Sequence, residues 1–167
     1  MTQKIHTYLW FDTQAEEAAN RYVDLFTSRP GAPGVASKVT NVARYGEAGP
    51  GEPDTAMTVT FQLEGQEFIA LNGGPQFPFT EAISLMVHCG SQEEVDHFWY
   101  GLIADGGEES QCGWLKDRYG LSWQIIPDRL MELIGDPDPG RSRRAMEAML
   151  QMRKIDVAEL ERAADAA

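Results

Sequence analysis

Cysteine and histidine are scarce in this 167-residue chain, which has two cysteines and three histidines. That number of cysteines is too small for a disulfide framework, and the metal-binding spacings CxxC and HExxH do not occur. We therefore interpret Cys89 and Cys112 as reduced thiols that pack within a cytoplasmic protein.

Basic residues are also few, with 14 Lys and Arg against 26 Asp and Glu and a formal net charge of −12. Nucleic-acid binding depends on cationic side chains that displace phosphate counterions, so this charge balance excludes a nucleic-acid partner. It also argues against a polybasic membrane surface. No run approaches the roughly 18 apolar residues of a membrane helix, and the first residues lack a signal-peptide pattern. We expect a cytoplasmic protein with no membrane partner.

The first part of the chain has a β-α-β-β-β order. A mixed aromatic and β-branched run at 5–11 predicts a strand, and apolar residues at three-and-four spacing predict a helix that ends near Thr27. Further strands are predicted at 35–45, 55–63 and 67–72, where Gly- and Pro-rich stretches separate alternating apolar residues. We assign residues 1–75 to a first module.

A second, weakly similar copy follows the first. It has a predicted strand at 82–89, a helix at 92–104, a short and a longer strand within 108–119, and a strand at 121–126. We assign residues 81–128 to this second βαβββ module and residues 129–167 to a helical appendage, all within one structural domain.

The appendage has its own helix signals. The Pro-rich run 136–140 predicts a break, and Met146, Met149 and Leu150 mark one apolar helix face. Asp156 and Glu159 stand at capping-box spacing and predict the start of a last short helix.

Two modules of this order resemble the vicinal oxygen chelate superfamily, which includes glyoxalase I, bleomycin-resistance proteins and extradiol dioxygenases. The sequence is most similar to the PhnB-like branch, often named 3-demethylubiquinone-9 3-methyltransferase-like. The resemblance lies in the runs LWFD (9–12), AEEA (15–18), ALNGGP (70–75), EAIS (81–84), CGWLKDRYGLSWQI (112–125) and MEAML (146–150).

The resemblance implies an α+β fold in which two βαβββ modules form a cup-shaped curved sheet, followed by C-terminal helices. It also implies a homodimer that binds a small molecule in an apolar cup. No reaction is defined by it, so the function is unknown at this level and the chain is not assigned as an enzyme or as a non-enzyme.

The superfamily's usual chemistry needs a divalent metal held by ligands from the first and last strands of each module. Carried over to this chain, His6 occupies one ligand position and Gln124 another. The other two ligand positions fall at Ser84, which is a poor metal ligand, and at Ile69 or Ala70, whose side chains cannot bind a metal. Two ligands are fewer than catalytic sites use, so we expect no metal and no other cofactor. The methyltransferase label is also unsupported, because no glycine-rich loop follows the first strand.

A binding role remains, because a curved sheet with many aromatic side chains suits a mostly apolar ligand site with a few polar anchors. Alternatives are a metal-dependent glyoxalase- or dioxygenase-type enzyme, a reaction at Cys112, and a protein that sequesters a drug or metabolite. The sequence identifies no catalytic residue. The predicted ligand-binding residues are His6, Tyr8, Trp10, Asn72, Cys112, Trp114 and Gln124.

Overall fold

The structure is a computed structural model that describes residues 4–31 and 36–166. Within it the chain divides into two compact units, one ending at Phe79 and the other beginning at Thr80. The first predicted module falls in the first unit, while the second module and the appendage fall in the second.

The first unit has the predicted β-α-β-β-β order. Its elements are β1 (Thr7–Phe11), α1 (Ala15–Thr27), β2 (Lys38–Arg44), β3 (Ala56–Leu63) and β4 (Gln66–Asn72). The four strands form one sheet in the order β1-β4-β3-β2, in which β1 runs parallel to β4 and the other neighbours are antiparallel. β1 begins two residues later than predicted, and Val35 of the predicted second strand lies outside the described residues.

The core of the first unit lies between one sheet face and α1. Strand alternation sends Leu9, Val59 and Phe61 to this face, and all three are buried. The helix meets them with Ala15, Ala18, Ala19, Tyr22 and Phe26. The three alanines allow the helix axis to approach the sheet closely. Because α1 lies on this face, the opposite sheet face has no covering helix from the described part of this unit.

The second unit repeats the order with shorter strands. Its elements are β5 (Ser84–Cys89), α2 (Gln92–Ile103), β6 (Glu108–Glu109), β7 (Trp114–Lys116) and β8 (Ser122–Pro127). They form a sheet in the order β5-β8-β7-β6, with β5 parallel to β8. The prediction of an α+β chain with two βαβββ modules is confirmed.

Three helices complete the second unit: α3 (Asp128–Ile134), α4 (Pro139–Met149) and α5 (Val157–Asp165). They enclose a core of their own that includes Leu130, Leu133, Ile155 and Leu160. The sequence analysis did not identify α3 separately. It also placed a break over 136–140, where Pro139 and Gly140 instead form the first turn of α4, because Pro needs no N–H at the first helical position.

The predicted start of the last helix is confirmed, since the Asp156 side chain accepts a hydrogen bond from the Glu159 amide at 2.8 Å. None of the helices in the described part of the chain is long and apolar enough to cross a membrane.

Candidate functional site

Three predicted site residues lie together on the uncovered face of the first sheet. Because Leu9 and Phe11 point to α1, alternation places Tyr8 and Trp10 on the opposite face, and His6 precedes them at the start of the strand. Tyr8 is 61% exposed, which is unusual for an aromatic residue in a strand of a mixed sheet.

The neighbouring strand extends this face with apolar side chains. Ile69 pairs with Tyr8 and Leu71 pairs with Trp10, and both are half-buried. We call these four residues, Tyr8, Trp10, Ile69 and Leu71, the open-face patch. It offers an apolar surface on two paired strands, the edge strand β1 and its neighbour β4.

A histidine and a carboxylate lie close together at one end of the open-face patch. The His6 Nδ1 atom is 2.9 Å from the Glu67 Oε1 atom, and both side chains are about one-third exposed. Nε2 of His6 has no partner among the described residues. The sequence analysis missed Glu67, although a parallel register between the first and last strands of the module would have placed it beside His6.

Trp10 is held in one orientation by the turn after β4. Its Nε1–H donates to the Gly74 carbonyl at 2.8 Å, and its ring meets Phe77 edge-on with centroids 5.0 Å apart. A Cβ at Gly73 would lie 2.2 Å from the Trp10 ring, so only glycine fits there. The indole N–H of Trp10 is therefore satisfied within the protein, and its ring is what a ligand would contact.

Asn72 belongs to the other face of the sheet, where it supports the start of α1. Its Oδ1 accepts a hydrogen bond from the Ala15 amide at 2.8 Å, and its Nδ2 donates to the Ala56 carbonyl at 2.9 Å. The side chain thus caps a helix that has no cap of its own at Gln14. The predicted ligand contact of Asn72 stays a prediction.

Trp114 and Gln124 lie on neighbouring strands of the second sheet, directly paired across β7 and β8. Gln124 Nε2 donates to the Ser84 hydroxyl at 2.8 Å, and Met86, also paired with Gln124, is 46% exposed. The strand registers give Gln124 the same place in this sheet that Ile69 has in the first.

Cys112 is not on a sheet face but in the turn before β7, with a φ of 56°. Its amide donates to the Met152 carbonyl at 2.8 Å. The two nearby cations have other partners, because Lys116 contacts Glu81 at 2.5 Å and Arg118 contacts Asp105 at 3.9 Å. Both cysteines are free thiols, as expected.

Cys89, in contrast, is buried against α2. Burial raises the pKa of its thiol to about 12, and the carboxylates of Glu94 and Asp128 add to the shift. A thiol with that pKa carries almost no thiolate at neutral pH, so Cys89 is a packing residue.

The donor atoms do not match the metal centre that the superfamily resemblance implies. His6 and Glu67 form a pair, and Gln124 is hydrogen-bonded to Ser84. Over residues 4–31 and 36–166, no three His, Cys, Asp or Glu side chains come together as a group able to hold a metal ion. Catalytic sites typically use three protein ligands, so these residues do not fit one.

Comparison with known proteins now identifies the family. The family described as 3-demethylubiquinone-9 3-methyltransferase matches residues 3–126, which include both βαβββ units. The chain belongs to this family. The match ends before α3, so the three C-terminal helices lie outside the region that the family shares.

A solved member is described as a putative 3-demethylubiquinone-9 3-methyltransferase, PhnB protein, from Bacillus cereus. It is 38% identical, the match covers 75% of this chain and 99% of that one, and the TM-score is 0.65. Protein PA1353 from Pseudomonas aeruginosa shares the fold at 19% identity. The match covers 76% of this chain and 100% of that one, with a TM-score of 0.58.

More distant structural neighbours include the fosfomycin resistance protein FosX from Listeria monocytogenes, at 15% identity. The match covers 79% of this chain and 98% of that one, with a TM-score of 0.49. A search of the curated proteins gave no match.

The methyltransferase in the family's name is a label and defines no reaction for this chain. S-adenosylmethionine usually binds at a glycine-rich turn after the first strand of a doubly wound sheet. Here β1 is followed by Asp12, Thr13 and Gln14, and the next amide, that of Ala15, is already bound by Asn72. These residues do not fit that cofactor.

Proposed function

We propose that this family member binds a small molecule with a planar apolar part on the open-face patch of the first sheet. The observation that carries the proposal is Tyr8, which is 61% exposed on the edge strand β1, on the sheet face opposite α1. An exposed aromatic flanked by further apolar side chains is typical of a binding surface.

The polar part of the ligand would bind at the His6–Glu67 pair. Because Glu67 contacts Nδ1, the second ring nitrogen of His6 remains available as a hydrogen-bonding atom. Ligand sites combine a mostly apolar lining with a few such anchors, and here both occur on one strand pair.

A ligand screen followed by one substitution tests this proposal. Thermal-shift assays against planar aromatics, dicarbonyls and phosphonates would select a binder, whose Kd is then measured by calorimetry. We expect a planar compound to be selected and Tyr8→Ala to weaken its binding about tenfold, which corresponds to about 1.4 kcal/mol.

The matched control is Tyr100→Ala, which removes a tyrosine of similar exposure (57%) from helix α2. This variant should bind the compound within about twofold of the wild type. The proposal fails if no planar compound binds, or if both tyrosine variants change the affinity equally.

We also propose that the protein is a cytoplasmic homodimer. Two free cysteines support a reducing compartment, and the exposed Met131 (51%) and Leu150 (54%) of the appendage support a contact between copies. Light scattering should give twice the chain mass of 18.6 kDa, whereas a mass of one chain would contradict the dimer.

A further inference from the structure

A cavity of about 420 Å³ lies at the end of the first sheet, apart from the open-face patch. Its walls come from the start of α1, from the loop between β2 and β3, and from the turn after β4. The lining includes Asp12, Tyr45, Pro50, Glu52, Gly73 and Gly74. Its size falls within the roughly 300–1,000 Å³ range of small-molecule sites.

The loop wall of this cavity is closely built. Tyr45 donates its hydroxyl hydrogen to the Asn72 carbonyl at 2.6 Å, which fixes the ring between the loop and the sheet. A Cβ at Gly51 would lie 2.4 Å from that ring, so the loop backbone lies directly against it. Two backbone hydrogen bonds close the loop at its base: the Tyr45 amide donates to the Thr55 carbonyl, and the Asp54 amide donates to the Tyr45 carbonyl.

Four backbone hydrogen-bond donors around the cavity are already used. The Ala15 amide binds Asn72, the Thr13 amide binds the Gln14 side chain, and the Gly73 amide binds the Phe11 carbonyl. The amide of Gly74 binds the carbonyl of Asp12 at 3.3 Å. An anion at this helix start would therefore find few free N–H groups, although helix starts often bind anions.

The strong acceptors, in contrast, are unused. The carboxylates of Asp12 and Glu52 have no partner among the described residues, and the lining residues include no Lys, Arg or His. Arg44, at the end of β2, points its guanidinium to Glu16 at 3.1 Å and to the Asp54 carbonyl at 3.1 Å. Both residues are exposed, so the cavity carries two negative charges at its surface that no side chain of its walls balances.

We infer that this cavity is a binding site for a small organic cation, a protonated amine with an apolar body. The ammonium group would donate hydrogen bonds to the carboxylates of Asp12 and Glu52, and the apolar body would lie against the Tyr45 ring and Pro50. The face of an aromatic ring favours a nearby cation, which adds to the two carboxylates.

The test is an NMR titration of the ¹⁵N-labelled chain with benzylamine, and with benzyl alcohol as the neutral compound of the same shape. Benzylamine should shift the amides of Gly51, Gly73 and Gly74 in a saturable manner, while benzyl alcohol should bind at least about tenfold more weakly. Asp12→Asn and Glu52→Gln should each weaken benzylamine binding about three- to fivefold, and 0.5 M NaCl should weaken it further.

Glu47→Gln is the matched control, since it removes an exposed carboxylate from the same loop without touching the lining. It should leave unchanged the benzylamine affinity that is measured from the shifts of these three glycine amides. Equal binding of benzylamine and benzyl alcohol would overturn the inference. So would equal effects of Glu52→Gln and Glu47→Gln, or the absence of saturable shifts at these glycines.

Discussion

Asp117 is the residue that organises the most recognisable part of the sequence, the run from Cys112 to Ile125. It is only 4% exposed, and its carboxylate accepts three hydrogen bonds. The donors are the amides of Tyr119 at 2.9 Å and Leu121 at 3.1 Å and the indole of Trp123 at 2.9 Å. The part of this run from Asp117 to Trp123 therefore encodes a folded turn.

Asp117→Ala should lower the free energy of unfolding by about 3 kcal/mol, because it leaves two buried donors and one part-buried donor without this acceptor. Urea denaturation followed by tryptophan fluorescence measures this change. The control is Asp24→Ala, at an exposed position of α1, which should change stability by less than about 0.5 kcal/mol. Equal stability of the two variants would show that Asp117 does not hold the turn.

At the residue scale, sequence reasoning identified three site residues in and just before the first strand, but not the residues that they contact. His6, Tyr8 and Trp10 follow from strand alternation alone, and the structure places them together. The roles of Glu67 and Asn72 depend on the register between β1 and β4, which are separated by 55 residues or more of chain and cannot be aligned by local pattern.

Among the elements, the segment between α4 and α5 is bound directly to the turn before β7. The amides of Cys112 and Gly113 donate to the carbonyls of Met152 and Arg153 at 2.8 and 2.7 Å. Gly113 has a φ of 83°, and a Cβ there would lie 2.9 Å from the Ile125 carbonyl oxygen and 3.3 Å from Ile155. This glycine lets the appendage approach the second sheet.

Gly113→Ala should therefore lower the free energy of unfolding by about 2–4 kcal/mol, from the left-handed backbone and the contact with Ile125. Gly46→Ala is the matched control, since a Cβ at Gly46 meets nothing within 4 Å. Chemical denaturation of both variants gives the comparison, and a Gly113→Ala protein as stable as Gly46→Ala would disprove the close approach.

An ion pair also joins the same segment to α2. Lys154 binds the Asp96 carboxylate and lies 3.2 Å from the Tyr100 hydroxyl. Burial acts to raise the pKa of Asp96, but the hydrogen bonds from Lys154 and Gln92 outweigh it and hold that pKa below its usual value. A carboxyl with a lowered pKa stabilises the fold above its unfolded pKa and loses this effect as the pH falls through the folded value.

Asp96→Asn should consequently destabilise the protein at pH 7 by at most about 1 kcal/mol, since the pair is partly exposed. The difference from the wild type should stay constant down to about pH 4, the usual pKa of an Asp carboxyl, and shrink below it, as the unfolded and then the folded chain take up the proton. Urea midpoints at each pH measure it, with Asp24→Asn as the control. A difference that is independent of pH would contradict the assigned ion pair.

The order of elements was predictable because each helix and strand has a clear local period. The start of α4 was not, because Pro and Gly at 139–140 indicate a break as readily as a first helical turn. The short strands β6 and β7 likewise depend on pairing with β8 more than on their own composition.

At the scale of the whole molecule, the chain is a shared family region with an additional helical segment. The family match covers both βαβββ units, and the PhnB protein is covered over 99% of its length while a quarter of this chain is left over. The net charge of −12 does not define a ligand, and the absence of a nucleic-acid partner that it predicts stays a prediction. The repeat could be predicted from sequence because each copy has the same order of elements, whereas the cavity depends on three segments that are distant in the chain.

The central claim is that the open-face patch binds a planar ligand. Its most direct test is a ¹H–¹⁵N NMR titration of the wild-type chain with the planar compound selected by thermal shift. We predict the largest amide shifts at residues 6–11 and 66–72, and their loss in Tyr8→Ala. Shifts confined to α2 or to the C-terminal helices, and unchanged by Tyr8→Ala, would contradict the account.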